Sequence, residues 1–203
     1  MQVDPNFKLG RSGCSLSLKD GEITKRASNI NYNDRLLAQY IKQKQFTSLH
    51  FKTPKTYNFY DSTNECASFS MEYISGKNFY DFCIDSSVRQ INEFIDTVIN
   101  YLKLNLQDSF STKIDPSEFL QKEIFLSQYL EKNFKFTTPP SALPIGRNHG
   151  DFSVSNMIFS DSYYLVDFLD NIFDTPINDI VKLRQDSKHK FYFTLSQKFN
   201  IKV

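Results

Sequence analysis

Residues 149–170 constrain this chain more than any other stretch. His149-Gly150-Asp151-Phe152-Ser153-Val154-Ser155-Asn156 runs into the apolar Met157-Ile158-Phe159, and a polar turn follows at Ser160-Asp161-Ser162. Tyr163-Tyr164-Leu165-Val166 then leads to Asp167-Phe168-Leu169-Asp170. Two short apolar strands joined by such a turn predict a β-hairpin. Apolar strands have no need of Asp151, Asn156 and Asp167 at their ends, so these polar residues call for a separate explanation.

Phosphoryl transfer supplies one. A nucleotide triphosphate is handled with Mg²⁺, a hard ion that takes a few protein oxygens in an octahedral shell. One amide oxygen and one carboxylate on neighbouring strands provide them, which assigns Asn156 and Asp167 to the metal. A further carboxylate has to orient the attacking hydroxyl and accept its proton. Asp151 suits that task on the loop entering the hairpin, and His149 suits orienting the loop by hydrogen bonding. Taken singly, Asp151 could cap a turn, Asn156 could be a strand-edge amide, and Asp167 could be a buried aspartate satisfied by backbone donors. All three in this order point to a shared site.

The start of the chain has a different character. Phe7 to Leu9 can begin a strand, and Gly10-Arg11-Ser12-Gly13 forms a turn. Ser15 to Leu18 alternates as a half-buried strand. Asp20-Gly21 is a hairpin signal, followed by a strand over Glu22 to Ala27. Alternation places Ile23, Lys25 and Ala27 on one face. An apolar residue two positions before a lysine could roof a base while the lysine reaches a phosphate, although most strand lysines are simply solvated. A helix follows, with Asn33 or Asp34 as its cap and Leu36, Leu37, Tyr40 and Ile41 as its apolar stripe. Ala67 to Ile74 reads as a buried strand that ends at a glycine turn, Ser75-Gly76-Lys77.

Residues 79–136 carry helical spacing with few breakers. Val88, Ile91, Phe94, Ile95, Val98, Ile99 and Leu102 mark one helix, and Phe119, Ile124, Phe125, Tyr129 and Leu130 mark a second, introduced by Asp115-Pro116-Ser117-Glu118. Thr137-Thr138-Pro139-Pro140 marks a loop that Pro144 extends. Lys182, Arg184, Lys188 and Lys190 form a basic run, ordinarily a solvated face.

His149-Gly150-Asp151 with Asn156, then Asp167-Phe168, resembles the catalytic loop and metal motif of the aminoglycoside phosphotransferase and choline kinase group, within the protein-kinase-like fold. The resemblance covers most of the chain. It implies an α+β, bilobal fold: an N-terminal antiparallel sheet lobe over 1–75 with a hinge near 71–76, and a mainly helical C-terminal lobe over 77–203. It implies that Gly10, Ser12 and Gly13 belong to the loop covering the nucleotide, that Lys25 meets the α/β-phosphates, and that Glu72, Tyr73 and Ile74 form the hinge beside the base. Asp179-Ile180-Val181 is similar to the helix start that follows the metal motif. The helix residue that pairs with the lysine is usually Glu in this group, and Gln39 is the best match. The C-terminus is short for the group, with 24 residues after Asp179. The acceptor site is then minimal, built by 79–136, or completed by another subunit in a homodimer.

The expected activity is that of a small-molecule kinase using Mg²⁺ and ATP or GTP, with a sugar, amino sugar or amino alcohol as acceptor. Residues 79–136 and 170–180 would line its pocket, and Asp170 or Asp174 could attract a cationic acceptor. Two alternatives stay open. One is a nucleotide-binding regulatory domain without catalysis, consistent with Gln39. The other is a protein kinase, against which Gly150 stands where those enzymes commonly carry arginine.

Composition narrows the partners. A net charge of +1 gives no field favouring nucleic acid or an anionic membrane. No apolar run approaches the length of a membrane span. Cys14, Cys66 and Cys83 have neither disulfide-framework nor zinc spacing, which with the lack of a leader pattern points to the cytoplasm.

Overall fold

The computed structural model describes residues 8–9, 13–62, 64–115, 117–133, 135 and 140–190. Five strands form one antiparallel sheet: β1 (Lys8–Leu9), β2 (Cys14–Lys19), β3 (Glu22–Ala27), β4 (Thr56–Tyr60) and β5 (Ser68–Glu72), in the order β1-β2-β3-β5-β4. Asp20 and Gly21 both take positive φ, 50° and 79°, which matches the twist of the two strands that they join. The central strand β3 is flanked on both sides, with Lys25 opposite Leu16 on β2 and Phe69 on β5. Lys25 and Ala27, which alternation places on one face, are both buried, while Arg26 is exposed.

Helix α1 (Asn33–Gln45) lies against this sheet and differs from expectation in two respects. Its buried residues are Leu36, Gln39, Tyr40 and Gln43, whereas Leu37 and Ile41 are exposed. The stripe is turned because the two glutamines have partners inside: Gln39 meets Lys25, and Gln43 donates to the Pro54 carbonyl. Nor does Asn33 or Asp34 cap the helix. Tyr32 occupies the cap position without a side-chain bond, and Asn33 instead ties down the connection before β5, donating to the Glu65 carbonyl and accepting from the Ala67 amide, both at 2.8 Å. Cys14, Ala27, Leu36, Tyr40, Ala67, Phe69 and Met71 make up the core between helix and sheet. Cys14, Cys66 and Cys83 are free thiols.

The remaining elements are α2 (Phe79–Asp85), α3 (Val88–Gln107), β6 (Phe110–Lys113), α4 (Ser117–Leu130), β7 (Ala142–Ile145), β8 (Met157–Phe159), β9 (Tyr163–Leu165) and α5 (Pro176–His189). Ser87 and Gln90 form a reciprocal capping box that starts α3, and Asn78 caps α2. Helix α3 buries Phe94, Val98, Tyr101 and Asn105, while Val88, Ile95 and Ile99 of the expected stripe stay exposed. Strands β6 and β7 correct the reading of 79–136 as helical and of Pro144 as loop. They pair antiparallel across α4, with Ser111 opposite Pro144. A two-stranded ribbon has only outer edges, so a proline that lacks an N–H is tolerated there.

A second core lies beneath the hairpin β8–β9. Phe51, Phe82, Phe94, Tyr101, Phe152, Phe159 and Phe168 meet there, with Phe82 stacked on Phe159 at 4.1 Å and Tyr101 on Phe152 at 4.9 Å. Each buried phenyl contributes about 1.5–3 kcal/mol, so this cluster gives the hairpin a stiff base. Both hairpin edges are covered. Lys52 bonds to Tyr163 and Leu165 on one side, and Lys77 exchanges two bonds with Phe159 on the other. A Cβ at Gly76 would sit 2.6 Å from the Phe159 carbonyl oxygen, which explains the glycine at that crossing.

Candidate active site

The loop from 148 to 156 is pinned by backbone donors rather than by regular structure. Asp179, fully buried in the first turns of α5, accepts from the His149 and Gly150 amides, each at 2.8 Å, and from the Tyr101 hydroxyl at 3.1 Å. The helix starts before the expected Asp179: Thr175 caps α5, accepting from the Ile177 amide, and Pro176 opens the helix. One helical turn and then another along α5, Lys182 reaches Asp151 Oδ1 at 2.9 Å and Asp186 accepts from the Val154 amide at 2.8 Å.

His149 orients the loop, as its place in the motif predicts. Its Nδ1 accepts from the Asp151 amide at 3.2 Å, so its Nε2 carries the proton and donates to the Val166 carbonyl at 2.9 Å. Gly150 has φ +92°, and a Cβ there would come within 2.4 Å of the Leu169 carbonyl oxygen and of Asn171 Nδ2. Only glycine lets the loop and the 167–171 segment approach this closely.

These constraints set the polar groups. Asn156 Nδ2 donates to Asp151 twice, to the carbonyl at 2.9 Å and to Oδ2 at 3.0 Å. With its nitrogen committed, the amide oxygen of Asn156 is left as an acceptor. Asp167 follows β9 in the left-handed region at φ +61°, a conformation aspartate tolerates better than most residues. The Val166 amide bonds to the Asn156 carbonyl, so the two residues flank the same end of the hairpin. Asp167 Oδ1 accepts from Lys25 Nζ at 2.6 Å, and its side chain is 43% exposed.

Lys25 is thereby held from two sides, by Asp167 and by Gln39 Oε1 at 2.8 Å. The amide at position 39 has its own logic. Gln39 Nε2 faces the Tyr32 hydroxyl at 3.1 Å and Asp170 Oδ1 at 3.4 Å. A glutamate would set a second carboxylate against Asp170, so the neutral side chain fits where Asp167 supplies the ion pair. Of the two carboxylates expected to attract a cationic acceptor, Asp170 is bonded to Arg35 and Asp174 to Lys42.

The other sequence-derived residues are placed as follows. Gly13 immediately precedes β2, where its carbonyl accepts from Ser28; Gly10 and Ser12 lie outside the described residues. Glu72 ends β5 and exchanges bonds with Lys55, while the Tyr73 amide donates to the Gly21 carbonyl at 3.2 Å. Ile74 follows and is half-buried. The sequence reading missed Lys182, Asp186 and Tyr101. The first two could have been found, since Asp179, Lys182 and Asp186 share one face of a helix.

Two buried groups oppose each other in pH dependence. Burial pushes His149 down to about 4 from 6.5, so it is held neutral. Burial pushes Asp179 up to about 6 from 3.8, against the three donors that favour its charged form. As pH falls from 6.5 to 4 the unfolded chain gains a proton that folded His149 refuses, and stability drops. As pH falls from 6 to 3.8 folded Asp179 takes its proton first, and stability rises. The two act in opposite directions over the same pH range. His149→Gln removes one side only. Its urea-unfolding free energy is expected to fall more steeply than that of the wild type as pH rises from 4 to 6.5.

Sheet, helix α1, loop and hairpin together define the protein-kinase-like fold. A solved structure agrees. The streptomycin–ATP ternary complex of the aminoglycoside phosphotransferase APH(2")-IIa matches with a TM-score of 0.56 at 19% identity, covering 86% of this chain and 68% of that one. A choline/ethanolamine kinase family protein from Mesorhizobium loti matches with a TM-score of 0.47 at 13% identity, covering 90% of this chain and 64% of that one. No family model and no curated protein matches the sequence. No helix among the described residues is long and apolar enough to cross a membrane.

Proposed function

We propose that the protein is a small-molecule kinase, moving the γ-phosphate of ATP or GTP onto a hydroxyl of a sugar, amino sugar or amino alcohol. In this reading residues 1–75 and 77–203 act as two lobes about a hinge near 71–76. The observation that carries the proposal is the bonded set Asp151–Asn156 and Lys25–Asp167, gathered at one end of the β8–β9 hairpin.

Asp151 is the base. Its carboxylate takes the proton of the acceptor hydroxyl as that oxygen bonds to the γ-phosphorus. The bond from phosphorus to the bridging oxygen breaks, and the nucleoside diphosphate leaves. Lys25 binds the α- and β-phosphates while Ile23 roofs the base, which the backbone of 72–74 receives. Asn156, through its uncommitted amide oxygen, and Asp167, through the carboxylate oxygen not bonded to Lys25, fit a Mg²⁺ ion that draws its other ligands from phosphate and water. The metal would neutralise charge on the β- and γ-phosphates. A cavity of about 660 Å³ lined by Arg35, Phe119, Leu169, Asn171, Phe173 and Asn178 is the proposed acceptor pocket. Asn171, one of its lining residues, borders Gly150, the chain neighbour of Asp151.

One observation favours a second reading, a nucleotide-binding domain without catalysis: both Asp151 oxygens already have partners. A Mg²⁺-dependent phosphate-transfer screen over a panel of sugars, amino sugars and amino alcohols separates the two. Transfer to at least one acceptor, abolished by omitting Mg²⁺, is expected. Nucleotide binding with no transfer to any acceptor would favour the second reading.

A further inference from the structure

We infer that Lys182 is a positioning residue that clamps the carboxylate of Asp151. The inference rests on the proposed reaction. Lys182 Nζ lies 2.9 Å from Asp151 Oδ1, while Asn156 Nδ2 holds Oδ2 at 3.0 Å. The carboxylate is thus gripped at both oxygens, which fixes its plane and rotamer and leaves each oxygen a free lone pair.

The clamp is part of a larger device. Positions 179, 182 and 186 lie on one face of α5, and each engages a successive part of the loop: the amides of His149 and Gly150, the side chain of Asp151, and the amide of Val154. The helix therefore sets the loop's backbone at its start and end and the reacting side chain between them. Lys182 is the member of the three that acts on a side chain rather than on backbone. A general base displaced by about 1 Å can lose on the order of 10²-fold in rate, so this grip bears on turnover.

A merely structural ion pair predicts something different. Side chains 35% and 28% exposed make a pair of small worth to the fold, and its loss would move neither stability nor rate appreciably. The test compares the wild type with Lys182→Met and Lys182→Arg on the full chain. Steady-state transfer to the best acceptor from the screen, Mg²⁺–nucleotide affinity by fluorescence titration, and thermal unfolding are measured for each. Lys182→Met is expected to lower kcat by about 10- to 100-fold. Nucleotide affinity should stay within about twofold and the unfolding midpoint within about 2 °C. Lys182→Arg should recover much of the rate, because a cation is restored. Wild-type kcat in Lys182→Met overturns the inference alone. A lost nucleotide affinity also overturns it, by making Lys182 a phosphate ligand. A wild-type protein that transfers phosphate to nothing overturns the proposed reaction, and this inference with it.

Discussion

Asp151→Asn is expected to lower phosphate transfer by about 10²- to 10³-fold while leaving Mg²⁺–nucleotide affinity within about twofold. The substitution keeps the size of the side chain and one accepting oxygen, and Asp179 and Asp186 still hold the backbone of the loop. It removes the lone pair that receives the proton, and an amide cannot act as a base at neutral pH. Nucleotide contacts are assigned to other groups, chiefly Lys25, Asp167 and Asn156, which is why affinity is expected to hold. Asp167→Ala gives the useful contrast: it should weaken metal-dependent nucleotide binding itself. Rate and affinity are read from the same preparation, by transfer to the preferred acceptor and by nucleotide titration. Turnover at the wild-type level in Asp151→Asn would remove Asp151 from the chemistry.

Asp179→Ala is expected to cost about 4 kcal/mol of stability or more. Its carboxylate is buried and accepts from two backbone amides and one phenol. Truncation leaves these three donors buried without an acceptor, at about 1–3 kcal/mol each. Domains of this kind have about 5–15 kcal/mol in total, so the variant should unfold at far lower urea or fail to fold. Tyr101→Phe keeps the carboxylate and removes one donor of the three, and should cost only about 1 kcal/mol. If Asp179→Ala loses less than about 1 kcal/mol, water or a neighbouring group must satisfy the loop amides, and the anchoring role falls.

The kinase-like fold was legible because its diagnostic residues are local. Asp151, Asn156 and Asp167 fall within one loop and one hairpin, and a turn at 160–162 closes that hairpin without help from elsewhere. Strand alternation likewise put Lys25 on the same face of β3 as Ala27. The reading failed where partners are remote. The buried stripe of α1 follows the needs of Gln39 and Gln43, whose partners Lys25 and Pro54 lie outside the helix. Strands β6 and β7 were unreadable because each is four residues long, lacks clear alternation, and finds its partner only across α4.

The chain's own text determined which chemistry-bearing side chains exist and in what order, since turn geometry and side-chain period are properties of neighbouring residues. Packing alone decided which charges meet. Lys182 looks like one more cation on a solvated helix until α5 is laid against the loop, where it lies 2.9 Å from Asp151. Asp170 and Asp174 look like free carboxylates until α1 brings Arg35 and Lys42 to them. An ion pair depends on separation in space, and spacing along a chain fixes that separation only within a helix, a hairpin or a turn.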